Sequence, residues 1–522
     1  MKQPHEELSM FMTMFLRQHL LPISVFITGA CVLIVEVVAV RVLSPHYGNT
    51  IFTVSSVISV ILAALSVGYY AGGKLADRRP SPQWFFGIIL ASGLGIISFH
   101  LLGIVILPVL SMNLSLVAGP LISSLLLFLA PALLLGTLSP YAVKLQSIRF
   151  PEQGIGSVAG KIFFLSTAGS ITGSLLAGFV LIPRFGIDRI FIATGVVLFF
   201  LGFVPLSMLG FEKKRLFYSL LGIATVSLLV PLVIRHTRGN VVYSKDGVYE
   251  KIIIYDGVFK GRPTRFFQQD KSGSGAMFLD SDDPTDLVYA YSKYYAVYKI
   301  FKPDIQRALV IGGGAYSIPK ALLTEAPHAE VDVSEIEPSL FDLAKKYFSV
   351  KNNQRLRSYT EDGRRLLRDS DKKYDLIFSD VYYSLYSIPA HFTTQEFFAL
   401  AKETLTDDGI FIANLIGDLS GQEPSLMMSE MKTFRSVFPN SYFFAVESPH
   451  KTEAQNIIFL GYNSGKNTDL NVPAIRQNPD PIIRSLHDKA INLDRFDLTP
   501  YPILTDNFSP VEYFTAQVFK HL

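Results

Sequence analysis

Long uncharged runs fill the first half of the chain and stop near residue 235. A helix needs about 20 mostly apolar residues to cross a bilayer, because backbone polar groups in lipid must be satisfied within the segment. The first such run continues too far for a cleaved secretory signal, so we expect it to be retained. Seven membrane-spanning helices are predicted at 21–43, 52–72, 84–109, 115–137, 157–182, 187–209 and 216–234.

Few polar side chains interrupt these segments, and Glu36 is the most unusual of them. An ionised carboxylate within a span costs at least about 2.5 kcal/mol, so a function is one interpretation. The alternative is a neutral or paired Glu36, with Arg41 extending to the membrane edge. His100 and Pro131 are predicted to be packing and kink residues rather than ligands.

From Asn240 the pattern changes to short β-like runs separated by Asp-Gly and Gly-rich turns. Such runs predict a small β-region with strands at Val241–Tyr243, Tyr249–Tyr255 and Gly275–Leu279. Alanines and tyrosines at helical spacing then predict a helix over Asp286–Phe301.

Strand and helix patterns alternate after this point, which favours a mostly parallel sheet with right-handed crossovers. Strands are predicted at Ala308–Ile311, Glu330–Ile336, Leu356–Thr360, Tyr374–Ser379, Gly409–Leu415, Tyr442–Glu447 and Asn456–Gly461. Helices are predicted at Ile318–Glu325, after Pro338 as far as Phe348, and at Gly363–Arg368, Thr394–Leu405 and Ser425–Val437. No helix separates the last two strands, so they should form a hairpin at the sheet edge.

With 522 residues the chain is too long for one hydrophobic core. We expect a transmembrane α-helical domain (1–235), a small β-region with a gate helix (240–300), a Rossmann-like α/β domain of the S-adenosylmethionine-dependent transferase type (301–465) and a C-terminal extension (466–522). The net charge of +3 and the absence of Lys/Arg-rich blocks argue against nucleic acid as a partner. The single cysteine, Cys31, can form no internal disulfide. No metal site is predicted.

Candidate ligand-binding residues follow each of the first three strands of the predicted sheet. Gly312, Gly313 and Gly314 would let the backbone approach a ligand closely. Glu335 ends the second strand 23 residues after Gly312, a spacing suited to accepting hydrogen bonds from both ribose hydroxyls. After the third strand, Asp362 can accept from an adenine amino group while Gly363 permits a close turn; the alternative is an ordinary Asp-Gly turn. Together they predict a nucleoside site of the S-adenosylmethionine type.

The C-terminal half resembles the spermidine synthase family from about Tyr249 to Phe398, and the whole chain resembles its membrane-fused, multi-span members. The shared order and spacing of several short motifs carry the resemblance. They are Tyr249 before a strand, Asp286–Tyr289, Val310–Gly314, Glu335–Glu337, Asp362–Gly363, Tyr374–Asp380 and Phe392–Phe398.

The resemblance implies transfer of an aminopropyl group from decarboxylated S-adenosylmethionine to an amine, with release of methylthioadenosine. Asp380, at the end of the fourth strand, matches the family aspartate that deprotonates the amine. Tyr289 falls in the gate region and is assigned with the glycines to the nucleoside site. The enzyme itself mainly has to align the nucleophile and accept its proton.

Several positions depart from the family pattern. Ala315 replaces an acidic residue after the glycine triplet, and Tyr383 replaces a second aspartate. Ala290 occupies the position at which the family has Gln or His, and Tyr249-Glu250 occupies the position of the family's Tyr-Gln pair. The missing carboxylates would hold the cationic ends of a polyamine, so putrescine is predicted to be a poor acceptor.

Aromatic residues follow Asp380 closely. Tyr382, Tyr383 and Tyr386 predict either an aromatic pocket that holds a sulfonium by cation–π contact or a loop packed on the β-region. The substrate-pocket candidates are Tyr249, Glu250, Ala315, Tyr382 and Tyr383.

Three functions stay open on the sequence. The first is alkyl transfer from S-adenosylmethionine or its decarboxylated form to an amine other than putrescine. The second is a lyase in which the donor's own carboxylate attacks, giving homoserine lactone and methylthioadenosine; methyl transfer fits the fold but fewer motifs. The third is a transporter or sensor with a regulatory nucleoside-binding domain. Expected partners are the nucleoside, an amine acceptor and the lipid bilayer, with oligomerisation left open.

Two arguments conflict on membrane sidedness. Basic residues concentrate in loops on the side of the N-terminus, which places that terminus in the cytoplasm and, with seven spans, the C-terminal half outside. A nucleoside made in the cytosol argues for the opposite side. We expect an integral protein of a bacterial inner membrane, with the catalytic domain in the cytoplasm on substrate grounds.

Overall fold

The computed structural model describes residues 3–208, 240–382, 388–463 and 468–518. Contacts divide the chain into two compact units, Met1–Gly239 and Asn240–Leu522. The division falls close to the boundary at which the hydrophobic pattern of the sequence changes.

The N-terminal unit consists of helices throughout its described part. They are α1 (Gln3–Tyr47), α2 (Ile51–Arg78), α3 (Pro82–Asn113), α4 (Ala118–Arg149), α5 (Ile155–Leu176), α6 (Ile182–Arg184) and α7 (Ile187–Met208), with a π-helical stretch at Ala177–Leu181. In the described part, six stretches are long and apolar enough to cross a membrane, α5 and α6 forming one of them. These six match the first six predicted segments. The seventh, 216–234, lies outside the described residues.

Glycines let these helices pack in three close pairs, α1 with α5, α2 with α4 and α3 with α7. A Cβ on Gly169 would lie 2.0 Å from the Phe26 carbonyl oxygen, and one on Gly72 2.4 Å from that of Thr137. On the third pair, Gly93 and Gly195 each face the other's carbonyl oxygen, at 2.6 and 2.8 Å from the added Cβ. Small residues at such contacts are the usual means of helix association in lipid.

The polar residues singled out within the spans are placed by this packing. His100 is buried on α3, its Nε2 lies 3.0 Å from Asp188 Oδ1, and its ring stacks on Phe191 at 4.8 Å. Pro131 is buried inside α4, and Glu36 is partly buried on α1.

The C-terminal unit begins with a four-stranded antiparallel sheet in the order β1-β2-β3-β4. The strands are β1 (Val241–Asp246), β2 (Lys251–Phe259), β3 (Arg262–Gln269) and β4 (Ser272–Phe278). Sequence analysis missed β3, because its alternate positions are charged or amide residues rather than apolar ones. An ion pair across the sheet, Arg265 Nε to Asp256 Oδ1 at 2.8 Å, stabilises this polar strand.

The helix predicted over Asp286–Phe301 is wrong in its first turn and a half. A 3-10 helix at Tyr291–Val297 leads into the short α8 (Tyr298–Phe301). Asp286 instead accepts from Arg262 at 2.8 Å, and Leu287 forms an isolated bridge with Met277 of β4. These contacts tie the segment before Tyr291 to the small sheet.

The second sheet has seven strands in the order β10-β11-β9-β8-β5-β6-β7. They are β5 (Arg307–Ile311), β6 (Glu330–Ser334), β7 (Leu356–Tyr359), β8 (Tyr374–Ser379), β9 (Leu405–Gly417), β10 (Ser441–Ala445) and β11 (Gln455–Tyr462). β9, β8, β5, β6 and β7 run parallel, and β10 and β11 form the antiparallel hairpin at one edge, as predicted.

Helices cover both faces of this sheet. They are α9 (Ser317–Glu325), α10 (Leu340–Tyr347), α11 (Gly363–Asp369), α12 (Gln395–Thr404), α13 (Leu426–Val437), α14 (Pro473–Arg476), α15 (Pro481–Lys489) and α16 (Val511–Val518), with 3-10 turns at Ala390–Phe392 and Leu493–Arg495. Val310 packs into the core on one face and Ile311 into the core on the other. The result is the predicted Rossmann-like α/β fold.

Candidate active site

A cavity of about 390 Å³ opens at the carboxyl ends of the parallel strands. Open α/β sheets place ligand sites at this edge, where neighbouring crossovers leave on opposite faces. Its wall is formed by β4, by the turns after β5, β6, β7 and β8, and by residues of β9 and β11.

The turn after β5 brings backbone directly to the cavity. Gly312 has φ +91°, and a Cβ there would lie 2.2 Å from the Asp380 carbonyl oxygen. Gly314 has φ +50°, also in the left-handed region that favours glycine. Gly312, Gly313 and Gly314 all line the cavity, as expected of a loop that approaches a ligand closely.

Glu335 follows β6 and is buried against this loop. Its Oε2 accepts from the Gly313 and Gly314 amides at 2.8 and 3.3 Å, and its Oε1 accepts from the Glu337 amide at 2.9 Å. Burial raises the pKa of Glu335, although these amides lower it in part. The carboxylate therefore both holds the glycine turn and faces the cavity with lone pairs to spare.

Asp362 and Gly363 begin α11 and also line the cavity. Asp362 Oδ1 accepts from the Arg365 amide at 3.0 Å, and its Oδ2 lies 3.0 Å from His391 Nε2. Burial raises the pKa of Asp362, but His391 and the Arg365 amide outweigh it and the net shift is downward. Asp362 is thus a helix cap as well as a cavity residue, and its role as an acceptor for an adenine amino group stays a prediction.

Asp380 follows β8 at the centre of the cavity. Its Oδ1 accepts from Asn414 Nδ2 at 2.9 Å, and the Tyr291 hydroxyl also hydrogen-bonds the carboxylate. Burial raises the pKa of Asp380 to about 6, although both hydrogen bonds lower it. A carboxylate with this pKa is ionised at neutral pH and is a stronger base than an exposed aspartate.

Three polar residues beside Asp380 were missed from the sequence: Tyr291, Asn414 and Asn456. Asn414, only 2% exposed, lies on β9, and its Oδ1 accepts from Asn456 Nδ2 of β11 at 2.9 Å. Amides inside otherwise apolar strands were the available signal, because a buried amide needs polar partners.

The predicted pocket residues divide into three groups. Glu250, Ala315, Tyr289 and Tyr382 line the cavity. Tyr249, 40% exposed, is not among the residues of the wall. Tyr383 lies outside the described residues, as does Tyr386.

Ala315 borders the cavity but is only 3% exposed, because it packs against the small sheet. A Cβ on Gly275 of β4 would lie 2.5 Å from the Ala315 Cβ. β4 is therefore in close contact with residue 315.

Tyr382 contributes both a ring and a hydroxyl to the wall. Its hydroxyl accepts a hydrogen bond from the Ile416 amide of β9, which fixes the ring against that strand. Within the described part of the chain, this contact favours the interpretation that Tyr382 packs at the start of its loop. The cation–π role stays a prediction.

The lining is strongly acidic. Six carboxylate residues and no Lys, Arg or His occur among its described residues; the carboxylates are Glu250, Glu335, Glu361, Asp362, Asp380 and Glu447. Side chains outside the lining contact three of them: Arg365 and Lys451 form ion pairs with Glu361 and Glu447, and the His391 ring contacts Asp362. The hydrogen bonds to Glu335 and Asp380 come from uncharged groups. Such a cavity suits a cationic ligand.

Fold and site together define a class, a Rossmann-like α/β transferase domain with a cavity at the carboxyl edge of its sheet. Comparison with protein families gives a match to part of the chain. Residues 294–471 match the spermine/spermidine synthase domain. The chain therefore carries a spermine/spermidine synthase domain after a set of apolar helices, and the predicted resemblance is confirmed.

Relatives with assigned activities support this placement. A polyamine aminopropyltransferase of Vibrio vulnificus is 26% identical over 288 residues, which cover 52% of this chain and 91% of the relative. Polyamine aminopropyltransferase 2 of Aquifex aeolicus is 22% identical over 75% of this chain and 78% of its own length. The second alignment spans more residues than the C-terminal unit contains, so it extends into the apolar helices.

Solved structures align with part of the chain. A probable spermidine synthase from Corynebacterium glutamicum has a TM-score of 0.40 and 20% identity, over 45% of this chain and 84% of that one.

Proposed function

We propose that the protein is a membrane-bound aminopropyltransferase that uses decarboxylated S-adenosylmethionine and an amine other than putrescine. The acceptor nitrogen attacks the carbon next to the sulfonium, the carbon–sulfur bond breaks, and methylthioadenosine leaves. The acceptor binds as an ammonium and loses one proton to the Asp380 carboxylate before it attacks. One carbon–nitrogen bond replaces one carbon–sulfur bond, and the proton passes from Asp380 to solvent.

The observation that carries the proposal is Asp380. It lies at the carboxyl end of β8 in an acidic cavity. Among the described residues, the uncharged side chains of Asn414 and Tyr291 donate hydrogen bonds to it, and its pKa is raised to about 6. General bases work best when their pKa lies near the operating pH. Retention of such a base also favours an enzyme over a purely regulatory nucleoside-binding domain.

The acidic lining supports the decarboxylated donor over intact S-adenosylmethionine. Intact donor carries an α-carboxylate, which the carboxylates of the lining would repel and no cationic side chain of the described lining would neutralise. The described lining offers no cationic side chain and six carboxylates. The same charge argument weighs against the lyase, because its nucleophile is that carboxylate.

Putrescine is disfavoured for a different reason. Ala315 is packed against Gly275 and supplies no carboxylate for a second ammonium. An acceptor with one ammonium and an otherwise apolar or neutral chain avoids that cost.

The apolar helices support location in a membrane, and the cytosolic origin of the donor supports a catalytic domain in the cytoplasm of a bacterial cell. An alkylation of a lipid-soluble or membrane-confined amine would explain why the two units are joined in one chain.

The test is product identity with the full-length protein in detergent. Purified protein is incubated with decarboxylated or intact S-adenosylmethionine, alone or with putrescine or n-butylamine, and products are identified by mass spectrometry. We expect methylthioadenosine only from the decarboxylated donor and only with an amine, more rapidly with n-butylamine. Homoserine lactone from the intact donor without an amine would establish the lyase instead, and rapid spermidine formation would refute the acceptor argument.

A further inference from the structure

Two amides beside the base are not explained by nucleoside binding: Asn414 is buried and Asn456 is partly buried. They lie on the neighbouring antiparallel strands β9 and β11, and both line the cavity. Asn456 is paired in register with Ile416, and its carbonyl oxygen accepts from the Val446 amide at 3.0 Å. Around the two amides the cavity wall combines the apolar Ile416 and Val446 with the carboxylates of Asp380 and Glu447.

The direction of their hydrogen bonds is fixed by chemistry. An ionised carboxylate can only accept, so Asn414 must turn its NH₂ group towards Asp380, where Nδ2 lies 2.9 Å from Oδ1. The Asn414 oxygen then faces Asn456 and accepts from its Nδ2 at 2.9 Å. The Asn456 Oδ1 is consequently left as an acceptor at the cavity wall.

We propose that Asn456 and Asn414 form a positioning relay that orients the Asp380 carboxylate, and that Asn456 Oδ1 accepts a second N–H of the incoming amine. This inference rests on the proposed function and specifies its acceptor as a primary amine on an apolar chain. A primary ammonium gives one N–H to Asp380 and one to Asn456. After proton transfer the new lone pair points at Asp380, and the amine turns about its remaining hydrogen bond to Asn456 to present that lone pair to the sulfonium carbon. The apolar chain packs beside Ile416 and Val446.

The test reverses the direction of the hydrogen bonds that Asn414 forms with residue 456 and with Asp380. In Asn456→Asp the new carboxylate accepts only, so Asn414 turns its NH₂ towards it and presents its oxygen to Asp380, which favours the protonated base. With decarboxylated S-adenosylmethionine and n-butylamine, we expect the acid midpoint of kcat/KM to rise by at least one pH unit. Asn456→Ser keeps a hydroxyl donor for Asn414 and should restore the wild-type midpoint. Asn352→Asp, an exposed substitution of the same kind, should leave it unchanged.

A double-mutant cycle separates the relay from the added charge. In an Asn414→Leu background no amide can turn, so Asn456→Asp should shift the midpoint much less than in the wild type. An equal shift in both backgrounds would mean that charge acts directly, and the relay would be refuted.

The second role of Asn456, acceptance of an N–H of the amine by its Oδ1, is tested by the affinity for the acceptor. Asn456→Leu removes the acceptor oxygen, so KM for n-butylamine should rise at least tenfold and the preference for it over N-methylbutylamine should fall. Unchanged KM and preference would overturn this role.

Failure of the proposed function is distinguishable from failure of the relay. If the wild type transfers to no primary amine, the proposed function fails, and the relay is tested instead through the pH dependence of donor binding measured by calorimetry. Each variant must first bind methylthioadenosine like the wild type, which shows that the fold is intact. A wild-type pH dependence in Asn456→Asp would then refute the relay.

Discussion

Replacement of Asp380 by Asn gives the most direct test of the chemistry. An aliphatic amine has a pKa near that of lysine, about 10, so at pH 7 only about one molecule in 10³ is neutral and nucleophilic. In the wild type, Asp380 removes the proton from the bound ammonium, and the neutral fraction in solution does not limit the reaction. In Asp380→Asn the reaction must wait for neutral amine, so the expected loss at pH 7 is roughly 10³-fold.

The pH profile provides the distinguishing measurement. With a pKa of about 6 for Asp380, kcat/KM of the wild type should fall tenfold per pH unit below 6 and stay level from there to about 9. The variant should lack the plateau and gain about tenfold per unit up to the pKa of the amine. Methylthioadenosine release is followed by chromatography, and methylthioadenosine affinity serves as the control because the nucleoside contacts are retained.

Two results would refute this reasoning. A plateau that persists in Asp380→Asn would mean that another group accepts the proton. A loss of similar size at every pH would mean that Asp380 orients the donor rather than removing a proton.

Three further substitutions probe the same cavity. Tyr291→Phe removes a hydrogen bond that lowers the pKa of Asp380, so the acid midpoint of kcat/KM should move above 6; a downward shift would contradict the assigned contact. Glu335→Ala should weaken methylthioadenosine binding at least tenfold, about 1.4 kcal/mol, as measured by calorimetry. The reason is that the substitution removes both the predicted ribose acceptor and the carboxylate that holds the glycine turn. Equal affinity would place the nucleoside elsewhere. Gly275→Val places a Cβ 2.5 Å from that of Ala315, so the thermal midpoint of unfolding should fall by several degrees, whereas exposed Gly261→Ala, at φ +82°, should cost less.

The sequence predicted the two-part organisation well because each part has a strong periodic pattern. Spans of more than 20 apolar residues and alternating strands and helices leave few alternatives, and the order of the motifs indicated the sheet edge at which the cavity lies. The polar strand Arg262–Gln269 and the start of the gate helix were not predictable, because long-range ion pairs and a bridge to β4 determine them. The amides Asn414 and Asn456 were missed for the same reason. An amide inside an otherwise apolar strand is a weak local signal, and its importance depends on a neighbour far away in the chain.

The segment after the matched family domain has a practical consequence for its boundaries. The match ends at residue 471, but Leu504 exchanges hydrogen bonds with Gln395 and Thr433, and Asp506 holds Arg364 at 2.6 Å next to the cap residue Asp362. Tyr501 and Phe514 also enter the core beneath the sheet. A catalytic fragment ended at the family boundary would therefore expose apolar core and release the turn at Asp362. Any attempt to separate the enzyme from its helices has to keep the chain to residue 516 or beyond.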